Sequence, residues 1–375
     1  MKDKMNKVTA VIMLGFIFVF SGFMLFGEKK KASESENRKL AELPEISISS
    51  LNDGSFSQKL GEYVTDHFPA RERLTALDAR IEAQLSESIV NGVYVGNDML
   101  LDIGASEKGD MEKSAEEINK FSAAYKGAAY FVCVPTSAGV YGETLPPYIE
   151  KNSESRQIAS LYSTLGTDIR KIDAYNILKM LNDSYIFYRS DSKWTSYGAY
   201  CVYRTVIQKL GFSPTAYDKY TIDHVEDDFR GNLYHRSRYS GVKADIMDIY
   251  RCADGAGVLS CTGRDERGNI FSRSLYDRSR LDSSYKYDMY LGEPLPLVKI
   301  RTKVNNDRKL LVVTDRFGAC FIPFLTQHYS EIAVVMPSEM SGSVRKMIEP
   351  DKYEQTLFLF GIDSMTDSSI FERLN

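Results

Sequence analysis

Lys309-Leu-Leu-Val-Val-Thr314-Asp315-Arg316-Phe317-Gly318 decides the fold class of this chain. The uninterrupted apolar run Leu310 to Val313 has no polar alternation, so it predicts a strand buried on both faces. It opens at once into a tight turn and then a helix predicted around Ala319 to His328. The same alternation continues outward. Strands are predicted at Glu331–Met336 and Gln355–Gly361, with a helix at Ser341–Ile348 between them. Upstream, strands at Ala128–Val134, Ile169–Ile172 and Ile186–Tyr188 alternate with helices at Met111–Tyr125, Ser153–Leu165, Tyr175–Leu181 and Ser196–Leu210. Short apolar strands between helices predict an α/β fold with a largely parallel sheet covered on both faces. Such sheets bind ligands outside the carboxyl ends of their strands. The loops at Pro135-Thr136-Ser137, Asp191 and Asp315 all follow predicted strands.

Two segments depart from the alternation. Thr221 to Lys303 is rich in Tyr, Arg, Asp and Gly and lacks a helical period, which predicts an irregular, mostly antiparallel β-rich insertion over 221–303. Ahead of the sheet, Ser55 predicts a capped helix to about Thr65, and Pro69 starts a second. The apolar residues of that second helix, Leu74, Leu77, Ile81 and Leu85, recur at three- and four-residue steps. Val93–Val95 and Leu100–Asp102 read as a small hairpin around Asn97-Asp98.

The amino terminus bears on compartment. Val8 to Phe26 is a run of 19 uncharged, mostly apolar residues, long enough to cross a bilayer at about 1.5 Å per residue. Lys2, Lys4 and Lys7 precede it, which predicts a cytoplasmic amino terminus and a body outside. Lys29 to Lys31 follow and blur that argument. A cleaved signal peptide would need a shorter apolar region and a small-x-small site, and Ser21-Gly22 inside the run matches poorly. The reading is therefore a signal anchor over 1–27, a polar linker over 28–45 and one domain over 46–375, in a single-pass cell-membrane protein.

Composition narrows the partners. With 375 residues, a net charge of −4 and a pI near 5.8, the chain lacks the basic balance that nucleic-acid binding needs. Its five cysteines form no metal pattern, and no cofactor is called for. Cys133, Cys201 and Cys320 read as buried small hydrophobes. Cys252 and Cys261 flank the turn signal Ala-Asp-Gly-Ala-Gly, so a bridge across a hairpin stays open.

Chemistry is expected at a second stretch, Phe187-Tyr-Arg-Ser-Asp191-Ser-Lys193-Trp194-Thr-Ser-Tyr-Gly-Ala-Tyr200, which holds the single Trp. Thr195 or Ser196 is the expected N-cap of the helix that follows. Read alone, the stretch is either a capped helix start over a buried Trp or a polar site. Its Asp-Ser-Lys-Trp-Thr-Ser-Tyr-Gly-Ala-Tyr resembles the Asp-His-His-Trp-Thr-x-x-Gly-Ala-Tyr signature of the bacterial DHHW proteins. Those are similar to the alginate-acetylation proteins of the SGNH-hydrolase-like superfamily. Further blocks agree in order and spacing: Glu36-Asn-Arg-Lys-Leu40, Asp53-Gly-Ser-Phe56, Tyr63 with Asp66-His-Phe-Pro69 and Arg71, Val93-Tyr-Val-Gly96, Val134-Pro-Thr-Ser137, Leu145-Pro146, Phe229-Arg-Gly231 and Val313-Thr-Asp-Arg-Phe317.

The resemblance implies an SGNH-like fold and, in the family, an Asp–His–Ser triad for O-acetyl transfer or ester hydrolysis. Carried over by position, the Asp is Asp191, the His is Lys193 and the Ser is Arg316. Imidazole serves as base because it titrates near neutral pH, whereas an ordinary ammonium does not. Arg316 stays protonated and cannot be a nucleophile. Trp194, Asp315, Thr136 and Ser137 are expected to shape the binding surface, with an ion pair between Asp191 and Arg316. Ser192, Thr314 and Cys320 are the nucleophile types nearby. Three functions stay open: a catalytically degenerate envelope protein that binds a cell-surface polysaccharide or a membrane acyltransferase, an active O-acetyltransferase or esterase on such a polysaccharide, and a structural envelope protein.

Overall fold

The computed structural model describes residues 2–26, 30–33, 36, 38–103, 110–149 and 154–375. Residue 27 of the predicted anchor and parts of the predicted linker, 28–29, 34–35 and 37, lie outside them. Two compact units are present: residues 1–90 with 235–241, and residues 91–234 with 242–375.

The larger unit is built on a sheet of eight strands. In chain order they are β1 (Ala128–Val134), β2 (Ile169–Ile172), β3 (Val258–Arg264), β4 (Ile270–Ser272), β5 (Leu297–Thr302), β6 (Lys309–Thr314), β7 (Glu331–Val335) and β8 (Gln355–Gly361). Their order across the sheet is β4-β3-β5-β7-β6-β8-β1-β2. The five strands β7, β6, β8, β1 and β2 run parallel, and β5, β3 and β4 extend one edge antiparallel.

Alternation along each central strand divides the core into two. Tyr130, Val132 and Val134 face one side with Leu310, Val312, Leu357 and Leu359. Ala129, Phe131 and Cys133 face the other with Leu311, Val313, Phe358 and Phe360. Both sets are buried because helices cover both faces, which is why Leu310–Val313 and Leu357–Phe360 are apolar without alternation. The helix Ser196–Lys209 packs Val202, Tyr203 and Val206 onto the first face. Met111–Ala123 and Glu154–Thr164 pack Ile118, Phe121, Ile158 and Leu161 onto the second.

Thr221 to Lys303 is largely antiparallel, in two parts. Tyr220–Phe229 pairs with Asp245–Cys252 as a separate ribbon, while β3, β4 and β5 join the main sheet. All five cysteines are free, so Cys252 and Cys261 are not bridged. The strand expected at Ile186–Tyr188 does not join the sheet. Its backbone folds back on its own segment, with Thr195 N donating to the Ile186 carbonyl (2.9 Å) and Tyr188 N to the Lys193 carbonyl (3.2 Å).

In the smaller unit, the helix Lys2–Phe26 contains a stretch, Asn6–Phe23, long and apolar enough to cross a membrane. Two of the sequence blocks meet here. The buried Glu36 carboxylate accepts from Arg71 and Arg38 and pairs with Arg238 at 3.3 Å. The Arg38 guanidinium also grips Asp66, holding that carboxyl down at about 2, and Ala41 N donates to the same group (2.8 Å).

One buried group makes the larger unit sensitive to acid. His328 is 7% exposed, shares a hydrogen bond of 2.6 Å with the Tyr203 hydroxyl, and burial lowers its pKa from 6.5 to about 4. Below pH 6.5 the unfolded chain takes up a proton that the folded chain refuses until about pH 4. Stability is therefore fully present above 6.5 and falls between those values, by roughly 3 kcal/mol at the acid end. His328→Gln should flatten the dependence of Tm on pH across this window. Parallel slopes for variant and wild type would show that another group is responsible.

Candidate functional site

The two stretches singled out in the sequence are joined by Trp194. It is fully buried, its indole N–H donates to the Phe317 carbonyl (2.9 Å), and its ring lies parallel to Phe321 with Phe317 edge-on. Trp194 therefore orders the site from beneath. Thr195 is the N-cap of the following helix, with its hydroxyl accepting from Gly198 N at 3.1 Å.

Asp191 sits at the tip of the folded-back segment, 3% exposed. One carboxylate oxygen accepts from Lys193 N (3.0 Å) and Lys193 Nζ (3.3 Å), and the other from Asn232 N (2.9 Å). Asp245, fully buried, supports the loop from behind by accepting from the backbone N–H groups of Arg189 and Ser190 at 2.8 Å each and from the hydroxyls of Ser190 and Tyr185. Gly231 explains the Phe-Arg-Gly block. A Cβ there would lie 2.7 Å from the Asp191 Cα and would overlap its Cβ.

Arg316 follows β6, as expected, but its partner is not Asp191. It is paired with Asp288, from the short helix Lys286–Met289. Lys193 is two residues from Asp191 and closes onto it locally, so the carboxylate is already engaged. Burial raises the Asp288 pKa and Arg316 opposes that shift. Tyr287 stands between the two pairs, with Lys193 Nζ 5.2 Å and Arg316 Cζ 5.8 Å from its ring centroid. Lys193 and Arg316 therefore both face the Tyr287 ring. Neither Tyr287 nor Asp288 carries a signal in the sequence, because each is one residue in a Tyr- and Asp-rich segment without periodicity.

Asp315 is an internal brace. Its carboxylate accepts from Phe317 N (2.8 Å), Gly361 N (2.8 Å) and the Ser364 hydroxyl (2.6 Å), tying the loop after β6 to the end of β8. Burial pushes its pKa up. The backbone N–H groups at the start of the helix after β6, which could otherwise hold an oxyanion, are engaged as well. Phe317 N is held by Asp315, while Gly318 N and Ala319 N bond the carbonyls of Asp315 and Arg316 at 3.2 and 3.3 Å. Thr136 caps the turn after β1 and binds the buried Glu154 through its hydroxyl (2.5 Å) and N–H (2.9 Å). Ser137 is 1% exposed, and its hydroxyl is buried without a hydrogen-bond partner.

The nearby nucleophile types are also occupied. Thr314 is fully buried and donates to the Leu359 carbonyl (2.6 Å). Ser192 Oγ accepts from Asn232 Nδ2 at 2.9 Å. Burial pushes the Cys320 thiol up to about 12, so it is not a thiolate at neutral pH.

The sheet and the helices on both its faces define an α/β protein with a mostly parallel central sheet. A family model described as DHHW protein matches residues 82–335, and the chain belongs to that family. A DHHW family protein from Eubacterium siraeum superposes with a TM-score of 0.66 at 22% identity, covering 76% of this chain and 96% of that one. Bacillus cereus PatB1, solved with a sulfonyl adduct, gives 0.63 at 18% identity over 76% and 98%. The O-acetyltransferase domain of Pseudomonas putida AlgJ gives 0.44 at 13% identity over 73% and 92%. No curated protein matches the chain.

The close approach of Gly231 to Asp191 is testable. Gly231→Ala should destabilise the fold by about 1–3 kcal/mol in denaturant unfolding, as overpacking does. Gly342→Ala, where a Cβ would meet nothing within 4 Å, should stay within about 0.5 kcal/mol of wild type. Equal midpoints for the two variants would contradict the packing described.

Proposed function

We propose that the chain is a membrane-anchored, extracytoplasmic DHHW protein whose catalytic site has become a pair of ion pairs, acting in cell-envelope or exopolysaccharide modification through binding a glycan or a partner acyltransferase. The observation that carries this reading is that the residues at the base and nucleophile positions are both cations, each held by its own carboxylate: Lys193 by Asp191 and Arg316 by Asp288. An ammonium in an ion pair has no lone pair to take a proton, and a guanidinium cannot attack an ester. The engaged N–H groups of Phe317, Gly318 and Ala319 support the same conclusion, since an oxyanion would find them occupied.

Binding is supported by what remains available. Arg316 Nη1 is buried without a hydrogen-bond partner, so a small shift of the side chain would offer a charge-assisted donor to a hydroxyl or carboxylate of a sugar. Anchoring is supported by the helix Lys2–Phe26, and a body outside the cytoplasm by Lys2, Lys4 and Lys7 ahead of the apolar run.

The full chain should hydrolyse a small acetyl ester no faster than the buffer background, and an aryl sulfonyl fluoride should leave its mass unchanged. The double substitution Arg316→Ser with Lys193→His should raise turnover roughly tenfold or more above that background, because losing nucleophile or base is what reduces a triad to residual activity. It should also take up one sulfonyl group at position 316. Wild-type turnover that Asp191→Ala abolishes would overturn the non-catalytic reading.

A further inference from the structure

The helix Arg71–Leu85 is packed inside out. Its small residues Ala79 and Ala83 are buried, whereas Leu74, Leu77, Ile81 and Leu85 are 48, 53, 46 and 80% exposed. Their three- and four-residue spacing puts them in one stripe along the helix. The segment before it behaves alike, with Ile46, Ile48 and Leu51 exposed. Among the described residues, nine large apolar side chains are exposed between Leu43 and Leu85, as many as in all the chain beyond residue 90. Apolar surface gathered in this way marks a contact surface.

A cavity of about 310 Å³ in the same unit says which surface covers it. Its lining includes Phe23, Arg71, Arg73 and Lys30, together with Asp66 and Glu72, the latter 3.6 Å from Lys30 Nζ. Phe23 lies in the last turn of the helix Lys2–Phe26, whose apolar run ends at Phe26. The end of a bilayer span lies where acyl chains give way to headgroups, so a cavity lined by Phe23 lies at that level. Arg71 and Arg73, the first turn of the inside-out helix, are therefore there too. A 15-residue helix is about 22 Å long, and standing upright it would carry Leu85, its most exposed leucine, far from the lipid. Only a helix lying in the membrane plane gives all four stripe residues the same depth. Arg73, and Lys30 beside Glu72, would then lie at the level of the lipid phosphates.

We propose that the helix Arg71–Leu85 lies in the interface of the bilayer spanned by Lys2–Phe26, with Leu74, Leu77, Ile81 and Leu85 against the acyl chains and Lys30 and Arg73 at the phosphates. The inference rests on the anchored reading above. It gives the smaller unit two attachments to the membrane, one crossing it and one lying on it.

The test uses the full chain in lipid nanodiscs of phosphatidylethanolamine and phosphatidylglycerol, one chain per disc, with a phospholipid carrying a diazirine on its acyl chain. After illumination, labelled peptides are mapped by mass spectrometry. Label should appear within both 2–26 and 71–85. Leu77→Glu with Ile81→Glu, at exposed positions and with Tm unchanged, should cut labelling of 71–85 at least fivefold and leave 2–26 as before. Label on 2–26 without label on 71–85 would overturn the interfacial helix while sparing the anchor. Label on neither, together with release by alkaline carbonate, would overturn the anchor itself and this inference with it. Cross-links between the 71–85 segments in two-chain discs, without lipid label there, would assign the stripe to a second copy and also overturn the proposal.

Discussion

The hydrogen bond from the Trp194 indole to the Phe317 carbonyl is the constraint on which the site depends. It fastens a folded-back loop that belongs to no sheet onto the turn after a central parallel strand. Without it, Asp191 and Arg316 would be carried by independent elements. The bond can be rigid because the Trp ring is also packed between Phe317 and Phe321, so rotation of the indole would cost packing as well as a buried donor. Asp315 and Asp245 perform the same task from either side, each saturating its oxygens with backbone N–H groups and hydroxyls.

Charge at the site is balanced locally. Two cations meet two carboxylates, and the Tyr287 ring separates the pairs. An unpaired guanidinium in such a partly buried position would be costly, so an Arg at position 316 requires an acid from elsewhere in the chain. Asp288 meets that need from the Tyr-rich segment between the ribbon and β5. Breaking either pair alone would leave its partner charged in a poorly hydrated pocket. That couples Arg316 to Asp288 more tightly than their separation in sequence suggests.

The smaller unit follows a different logic. Ionic contacts around Glu36 and Asp66 hold the polar stretch onto the helical segment, and small alanines rather than leucines face inward on Arg71–Leu85. Its core is therefore thin, and the leucines and isoleucine of that helix point outward. A soluble domain would bury that stripe. Here the stripe is exposed in the same unit as the helix Lys2–Phe26, which is long and apolar enough to cross a membrane.

Much of the fold was legible in the sequence, because strands buried on both faces cannot alternate and helices must carry one apolar stripe. Leu310–Val313, Ala128–Val134 and Gln355–Gly361 declare themselves in that way, as do the Thr195 cap and the helix behind it. That a Lys stands at 193 and an Arg at 316, where the family resemblance expects an imidazole and a hydroxyl, was legible too, since it concerns residue type at a position. Which carboxylate each cation would take was not. Lys193 closes onto Asp191 and Arg316 crosses to Asp288 because of distances set by packing between segments that share no periodic pattern. Nor could periodicity say which way the stripe of Leu74, Leu77, Ile81 and Leu85 would face. Period fixes which residues share a face of a helix, while only the tertiary structure decides what that face meets.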